Sequence, residues 1–105
     1  MPLAPVCDRG KLVSALNRIR HYHMYEGVTR LTELAALYIV SIVKAHAFPD
    51  GNKRTALLAA SLFLMDNGLR LEESEKLPQL IIDAASGHTK YGELAIILEK
   101  HIRRF

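Results

Sequence analysis

Cysteine is scarce in this chain: Cys7 is the only one among 105 residues, so a framework of internal disulfide bonds is excluded. Arg9 is the nearest basic residue along the sequence, and no histidine accompanies it. A catalytic thiolate needs such neighbours to lower its pKa. We therefore predict no catalytic role for this thiol.

Long uncharged apolar runs are also missing, and a membrane-spanning helix needs about 20 consecutive apolar residues. The N-terminus lacks the basic-then-apolar order of a signal peptide. The excess of positive charge is small and scattered, with 14 Lys and Arg against 11 Asp and Glu. We expect a cytoplasmic protein without a membrane partner. Its charge suits a nucleotide or an acidic partner and does not indicate direct nucleic-acid binding.

Half of the residues are hydrophobic, which predicts a folded chain. The length predicts a single domain over residues 1–105, in which residues 1–7, with two prolines, form an extended N-terminal arm. Apolar periodicity predicts an all-α fold, a compact bundle of about five helices. The predicted helices run from Asp8 to about Tyr25, from Thr29 or Thr32 as cap to near Ala47, from near Asn52 to about Asp66, from Ser74 to Ala85, and from Tyr91 to Arg104.

The second and third of these helices are apolar nearly all round, and so we expect both to be buried in the middle of the bundle. The first helix should place Leu12, Leu16 and Ile19 on its inner face. Residues 69–72 alternate apolar and charged side chains, which predicts a short extended connector. No partner strand is evident in the sequence, and no sheet is predicted.

The densest group of chemically active side chains lies between the two apolar helices, in residues 46–54, which read His-Ala-Phe-Pro-Asp-Gly-Asn-Lys-Arg. The proline and the Asp-Gly pair end one helix, and the next begins near Asn52. Backbone N–H groups at residues 51–54 are then the unpaired donors of a helix N-terminus, which favour an anion. Lys53 and Arg54 add two positive charges there. The pattern predicts a phosphate-binding loop.

Other residues of this stretch suit transfer of a phosphorus-containing group. His46 can act as a general base, because imidazole titrates near neutral pH. Asp50 offers the hard oxygen atoms that hold Mg²⁺ on nucleotide phosphates. Gly51 lets a ligand approach the backbone, and Asn52 can bond a phosphate oxygen or cap the helix. Judged by residue types alone, the same stretch could also be an ordinary turn between two helices, with Lys53 and Arg54 exposed to solvent.

At seven defined positions the stretch resembles the signature of the Fic/Doc superfamily, His-x-Phe-x-Asp/Glu-Gly/Ala-Asn-Gly/Lys-Arg. The resemblance implies a Fic/Doc-like helical bundle. Resemblance to the Doc (death on curing) toxins of this superfamily implies an activity as well. The implied activity is transfer of the terminal phosphate of ATP to a Ser/Thr hydroxyl of a translation elongation factor, which halts protein synthesis. The implied catalytic residues are His46, Asp50 and Lys53, the implied nucleotide-binding residues are Gly51, Asn52, Lys53 and Arg54, and Asp50 would hold Mg²⁺ through the phosphates.

Two positions distinguish the Doc branch from the Fic branch. Fic adenylyltransferases usually have Gly where this chain has Lys53 and a second Arg where it has Leu57. These differences favour phosphate transfer. Transfer of AMP to a protein hydroxyl is the first alternative function. The second alternative is a catalytically inactive helical binding module that acts through an antitoxin-like partner. A helix-turn-helix DNA binder is disfavoured, because the helix after the turn is too apolar to contact base edges.

The resemblance also implies control by another chain. The inhibitory hexapeptide of many Fic enzymes, Ser/Thr-x-x-x-Glu-Gly/Asn, does not occur in the sequence. The implied partner is a Phd-type antitoxin whose flexible tail lies in a groove beside the active site. Doc-like chains usually carry about one more helix before the part corresponding to Asp8–Arg20, and we expect this difference to affect activity more than fold. Proteins of this kind are encoded by bacteria, phages or plasmids.

Overall fold

The computed structural model describes residues 8–47, 51–72, 74–75, 77–79, 83 and 90–104. Residues 77–79 and 83 are helical, whereas the predicted N-terminal arm and half of the predicted helix from Ser74 to Ala85 lie outside the described residues. The predicted all-α fold is confirmed. In chain order the elements are α1 (Arg9–Tyr25), α2 (Leu31–Ala45), α3 (Asn52–Asp66), β1 (Leu69–Leu71), α4 (Tyr91–Glu99) and β2 (Ile102–Arg104).

Helix α1 begins and ends where its local signals predict. The Asp8 carboxylate caps it by accepting a hydrogen bond from the backbone N–H of Lys11 at 3.1 Å. Gly27, with φ +69°, follows its C-terminal end. The predicted inner face is wrong in one respect: Ala15 and Ile19 are buried, whereas Leu16 is 42% exposed. The buried face of α1 therefore includes fewer residues than the apolar pattern of its sequence predicts.

Helix α2 is the centre of the fold, because it packs against α1, α3 and α4. Its burial on several sides confirms the prediction from its all-round apolar sequence. The predicted capping by Thr29 or Thr32 is wrong: Arg30 occupies the N-cap position and makes no side-chain cap bond. Thr32 lies inside the first turn, and the acidic Glu33 next to it complements the helix dipole instead.

The prediction that α3 is buried all round is wrong. One side of the helix, formed by Ala56, Ala60 and Leu64, is buried in the core. On the other side Leu58 and Leu62 are 58% and 51% exposed. Because α3 packs on α2 along one side and on β1, part of its apolar surface remains uncovered among the described residues.

A small antiparallel sheet corrects two predictions for the end of the chain. Helix α4 ends at Glu99, earlier than predicted, with i to i−3 bonds such as that from the His101 N–H to the Leu98 carbonyl at 2.8 Å. Residues 102–104 then pair with 69–71, so the extended connector does have a partner strand. An ion pair between Arg103 of β2 and Glu72, the residue that follows β1, is 3.7 Å long and lies at the surface.

The core lies around α2 in two clusters of buried side chains. One cluster joins α2 to α3, α4 and Leu77, and the other joins α2 to Ile19 of α1. Full burial of one large apolar side chain, such as leucine or isoleucine, stabilises the fold by about 1.5–3 kcal/mol. Among the described residues no helix is long and apolar enough to cross a membrane. The largest fully buried side chains are Ile39, Leu64, Leu77, Leu94 and Leu98.

Candidate functional site

The signature residues lie where α2 gives way to α3. The two helices pack against each other and are joined by residues 46–51, so the end of α2 and the start of α3 lie at the same end of the pair. The backbone N–H of Asp8 donates to the carbonyl of Ala47 at 2.6 Å, which brings the start of α1 to that end as well. Two helix N-termini and one helix C-terminus therefore converge there.

His46 is the C-cap of α2 and is exposed to solvent. Its backbone is left-handed, with φ 49° and ψ 41°, and among the described residues it is the only residue other than glycine with a positive φ. For a residue with a Cβ this conformation costs about 1–2 kcal/mol, and such strain clusters at functional sites. The structure thus confirms that α2 delivers this imidazole at its end, and it adds a backbone strain that the sequence does not indicate.

The start of α3 has the form of an anion site. Gly51 is its N-cap, with φ 80° and ψ 14°, and the first helical bond runs from the Thr55 N–H to the Gly51 carbonyl at 2.9 Å. No side chain caps the helix at Gly51, and its first turn contains no acidic residue. A Cβ on Gly51 would meet no described atom within 4 Å, so the positive φ is what requires glycine.

Lys53 and Arg54 are exposed in the first turn of α3, and neither takes part in an ion pair within the described part of the chain. Asn52 opens the helix and is half-buried. The structure therefore brings together His46, Gly51, Asn52, Lys53 and Arg54. The predicted Mg²⁺ ligand, Asp50, lies outside the described residues, and its role stays a prediction.

The sequence did not predict that α1 would contribute to this end of the molecule. The sequence predicted that the first helix begins at Asp8, and the structure adds that the side chain of this residue caps the helix. Its second role, the backbone bond to Ala47, joins residues that are far apart in the sequence. Nothing in the local pattern around Asp8 indicates that contact, because a backbone hydrogen bond requires no particular side chain.

The histidine pair on α1 serves local structure at the other end of that helix. The carbonyl of Val28 can only accept a hydrogen bond, so the Nδ1 atom of His23, 2.9 Å away, is the donor. His21 lies 3.7 Å from a Glu26 carboxylate oxygen, and its ring is tilted by 34° against that of Tyr25 at a centroid distance of 5.1 Å. No group of three or more His, Cys, Asp or Glu residues able to hold a metal occurs among the described residues.

The fold and the site together define a class: a helical protein with a positively charged helix N-terminus beside an exposed imidazole. A backbone donor array with two adjacent cations can bind phosphate oxygens, and the imidazole can accept a proton from a nearby hydroxyl. These are the two requirements of a group-transfer site for phosphorylated substrates.

Comparison with known proteins identifies the family. The sequence model of the Fic/DOC family matches residues 4–64, which is more than half of the chain. The chain is 36% identical over 98 residues to "Protein kinase doc" of Escherichia phage P1, a match that covers 93% of this chain and 78% of the relative. It is 50% identical over 67 residues to "Toxin Doc" of Mycolicibacterium smegmatis, covering 63% of this chain and 52% of that relative. The chain belongs to the Fic/Doc family.

Proposed function

We propose that this protein is a Doc-like toxin that transfers the terminal phosphate of ATP to a Ser/Thr hydroxyl of a translation elongation factor and so inhibits protein synthesis. Both relatives carry the name Doc, one as a protein kinase and the other as a toxin. The observation that carries the proposal is the position of an exposed His46 at the end of α2, beside the uncapped N-terminus of α3 and its two cations.

In the proposed reaction His46 accepts the proton of the acceptor hydroxyl. The hydroxyl oxygen forms a bond to the γ-phosphorus of ATP, the bond from that phosphorus to the bridging oxygen breaks, and ADP leaves. Lys53, Arg54 and the backbone N–H groups of α3 hold the phosphates and offset their charge. Positioning and electrostatic stabilisation supply most of the catalysis in such a transfer.

The choice between phosphate and AMP transfer rests on two residues of α3. Lys53 stands where adenylyltransferases usually have glycine, and it is exposed in the first turn. Leu57 stands where they usually have a second arginine, and it packs partly buried against the core. An apolar side chain in that position cannot hold a phosphate, and for this reason we favour transfer of the terminal phosphate.

Magnesium belongs to the proposal through the nucleotide. A magnesium ion bound with a nucleotide needs only one or two carboxylates, because the phosphates and water complete its shell. The carboxylate of Asp50 has the required chemistry, and the resemblance assigns it this role. The ion would neutralise phosphate charge, whereas His46, Lys53 and Arg54 act on the reacting groups directly.

An antitoxin of the Phd type is the proposed partner, in keeping with the name of the mycobacterial relative. The exposed apolar side of α3 supports a partner, because contiguous apolar surface on a soluble protein marks interaction sites. Met65 of this side also lines a cavity of about 550 Å³, together with Leu57, Leu71 and Leu77. A flexible, partly apolar antitoxin segment would suit such a surface.

The test is a pair of labelling reactions on bacterial lysate with Mg²⁺, one with ATP labelled at the γ-phosphate and one with ATP labelled at the α-phosphate. We expect a labelled protein band from the γ-label alone, absent with His46→Ala and retained with His21→Ala, which removes another exposed histidine far from the site. A band from the α-label alone would move the assignment to AMP transfer. Absence of both bands would favour the inactive binding module.

A further inference from the structure

A groove between α1 and the end of α2 lies next to the candidate site and has no assigned role. Its volume is about 440 Å³. Lys11, Ser14 and Arg18 line it from α1, and Ser41 and Lys44 line it from α2. We refer to it as the α1–α2 groove.

The groove carries positive charge that the rest of the described structure does not balance. Lys11, Arg18 and Lys44 take part in none of the ion pairs among the described residues. One carboxylate, that of Asp8, also lines the groove, but it is held at the start of α1 as the helix cap, 3.1 Å from the backbone nitrogen of Lys11. Three cations against one engaged carboxylate make this an anion-binding surface.

The spacing of the cations distinguishes between kinds of anion. Lys11, Ser14 and Arg18 follow one another at i, i+3 and i+7, so they lie along one face of α1 over about 10 Å. A single phosphate requires cations that converge on one point. Lys11 and Arg18 are the two cations on α1, and Lys44 adds a third on α2. Cations spread over about 10 Å match an extended peptide instead, which covers that length in about three residues. The groove therefore suits a segment with several Asp or Glu residues.

The groove also leads to the proposed base. Lys44 and Ala45 form its wall on α2, and His46 is the next residue along the chain. The bond from Asp8 to Ala47 holds the start of α1 against this end of α2. One end of the groove therefore lies at the junction of α2 and α3, one residue before His46, and a segment that lies in the groove extends to that junction.

From these observations we infer that the α1–α2 groove binds an acidic, extended segment of the protein whose hydroxyl His46 activates. The inference rests on the proposed function and adds to it the chemical character of the substrate: carboxylates flank the acceptor Ser or Thr. Lys11, Arg18 and Lys44 are positioning residues, because they hold the substrate chain and do not touch the reacting atoms.

Direct binding tests the groove without any transfer reaction. The probe is a fluorescein-labelled peptide of alternating Glu and Gly, followed by fluorescence anisotropy at low salt. The variant Lys11→Gln/Arg18→Gln/Lys44→Gln should raise the dissociation constant about tenfold or more. The matched control is Arg20→Gln/Lys90→Gln/Lys100→Gln, which removes the same number of lysine and arginine charges at exposed positions outside the groove, and it should bind nearly as wild type.

Equal loss in the groove and control variants would mean that net charge alone attracts the peptide, and that result would overturn the inference. So would displacement of the peptide by ATP, which would make the groove a nucleotide site. Because all the substituted side chains in the groove are exposed, the variants should fold, and circular dichroism checks this. Each single substitution, which perturbs the fold least, should weaken binding about two- to threefold.

The labelling reaction with γ-labelled ATP then separates this inference from the proposed function. The groove variant should label its lysate protein more slowly than the control variant at a subsaturating level of that protein. Equal labelling by the two variants contradicts substrate binding in the groove while leaving phosphate transfer intact. If the wild type labels nothing, the proposed function fails, and the anisotropy result still decides whether the groove binds acidic segments.

Discussion

At the scale of single residues, the junction between α2 and α3 depends on two left-handed backbones of different origin. Gly51 adopts its positive φ without steric cost, whereas His46 adopts its own despite a Cβ. A residue kept in an unfavourable conformation is consistent with a chemical role for its side chain, because glycine would serve the backbone better. This contrast leads to a prediction about stability as well as activity.

Substitutions to and from glycine at these two positions should have opposite effects on the free energy of unfolding. His46→Gly should raise it by about 0.5–1 kcal/mol, because it relieves the left-handed strain, and should abolish transfer. Gly51→Ala should lower the free energy of unfolding by about 1 kcal/mol or more, because it places a Cβ on a backbone with positive φ. Urea denaturation measures both. A destabilised His46→Gly protein would show that the imidazole makes structural contacts beyond those described.

At the scale of the elements, α3 shows that an apolar sequence need not be buried on every side. Leu62 and Leu64 are two residues apart, and so they point to different sides of the helix. Leu64 is fully buried in the core, whereas Leu62 is half exposed. Substitution of Leu64 therefore tests the contribution of the buried side of α3 to stability, and substitution of Leu62 is the control on the exposed side.

Leu64→Ala should lower the free energy of unfolding by about 2–5 kcal/mol, because it removes buried methyl groups and leaves a cavity. Leu62→Ala should change it by less than about 0.5 kcal/mol, as is usual at a surface position. Denaturant unfolding followed by circular dichroism gives both values. Comparable losses in the two variants would mean that the outer side of α3 is covered in solution, for example by a partner or a second copy.

At the scale of the whole molecule, Tyr91 joins helices that are distant in the sequence. Its ring meets the edge of the Tyr22 ring at a centroid distance of 5.4 Å, which connects α4 to α1. Burial raises the pKa of Tyr91 above 10.0, and the nearby charge of Glu33 on α2, followed by Tyr22 and Glu26, raises it further. The folded protein thus favours the neutral phenol.

This raised pKa makes the stability depend on pH in the alkaline range. In the unfolded chain Tyr91 ionises near its ordinary pKa of 10.0, so its contribution is complete below that pH and is lost as pH rises through the higher folded value. The free energy of unfolding should therefore fall above pH 10.0, and less steeply in Tyr91→Phe. Thermal unfolding across this range measures the slopes. Tyr25→Phe, at a residue that is 75% exposed, removes a phenol outside the core and is the control with which the slope of Tyr91→Phe is compared.

Local signals in the sequence determined most of the helices and the position of the site. Asp8 caps α1 through its own side chain, and α3 begins at Asn52 and ends at Asp66 as predicted. The signature likewise placed His46 at the end of one helix and the cations at the start of the next. Each of these features depends on residues within about one helical turn, where capping, turn geometry and the helix dipole act.

Only the tertiary structure decided which apolar faces are covered, that residues 69–71 pair with 102–104, and that α1 is bonded to the end of α2. The segment that pairs with a strand, or that covers an apolar helix face, lies tens of residues away in the chain. The local apolar or extended pattern does not identify that segment. The α1–α2 groove arises in the same way, because its cations come from two helices that meet only in the folded protein.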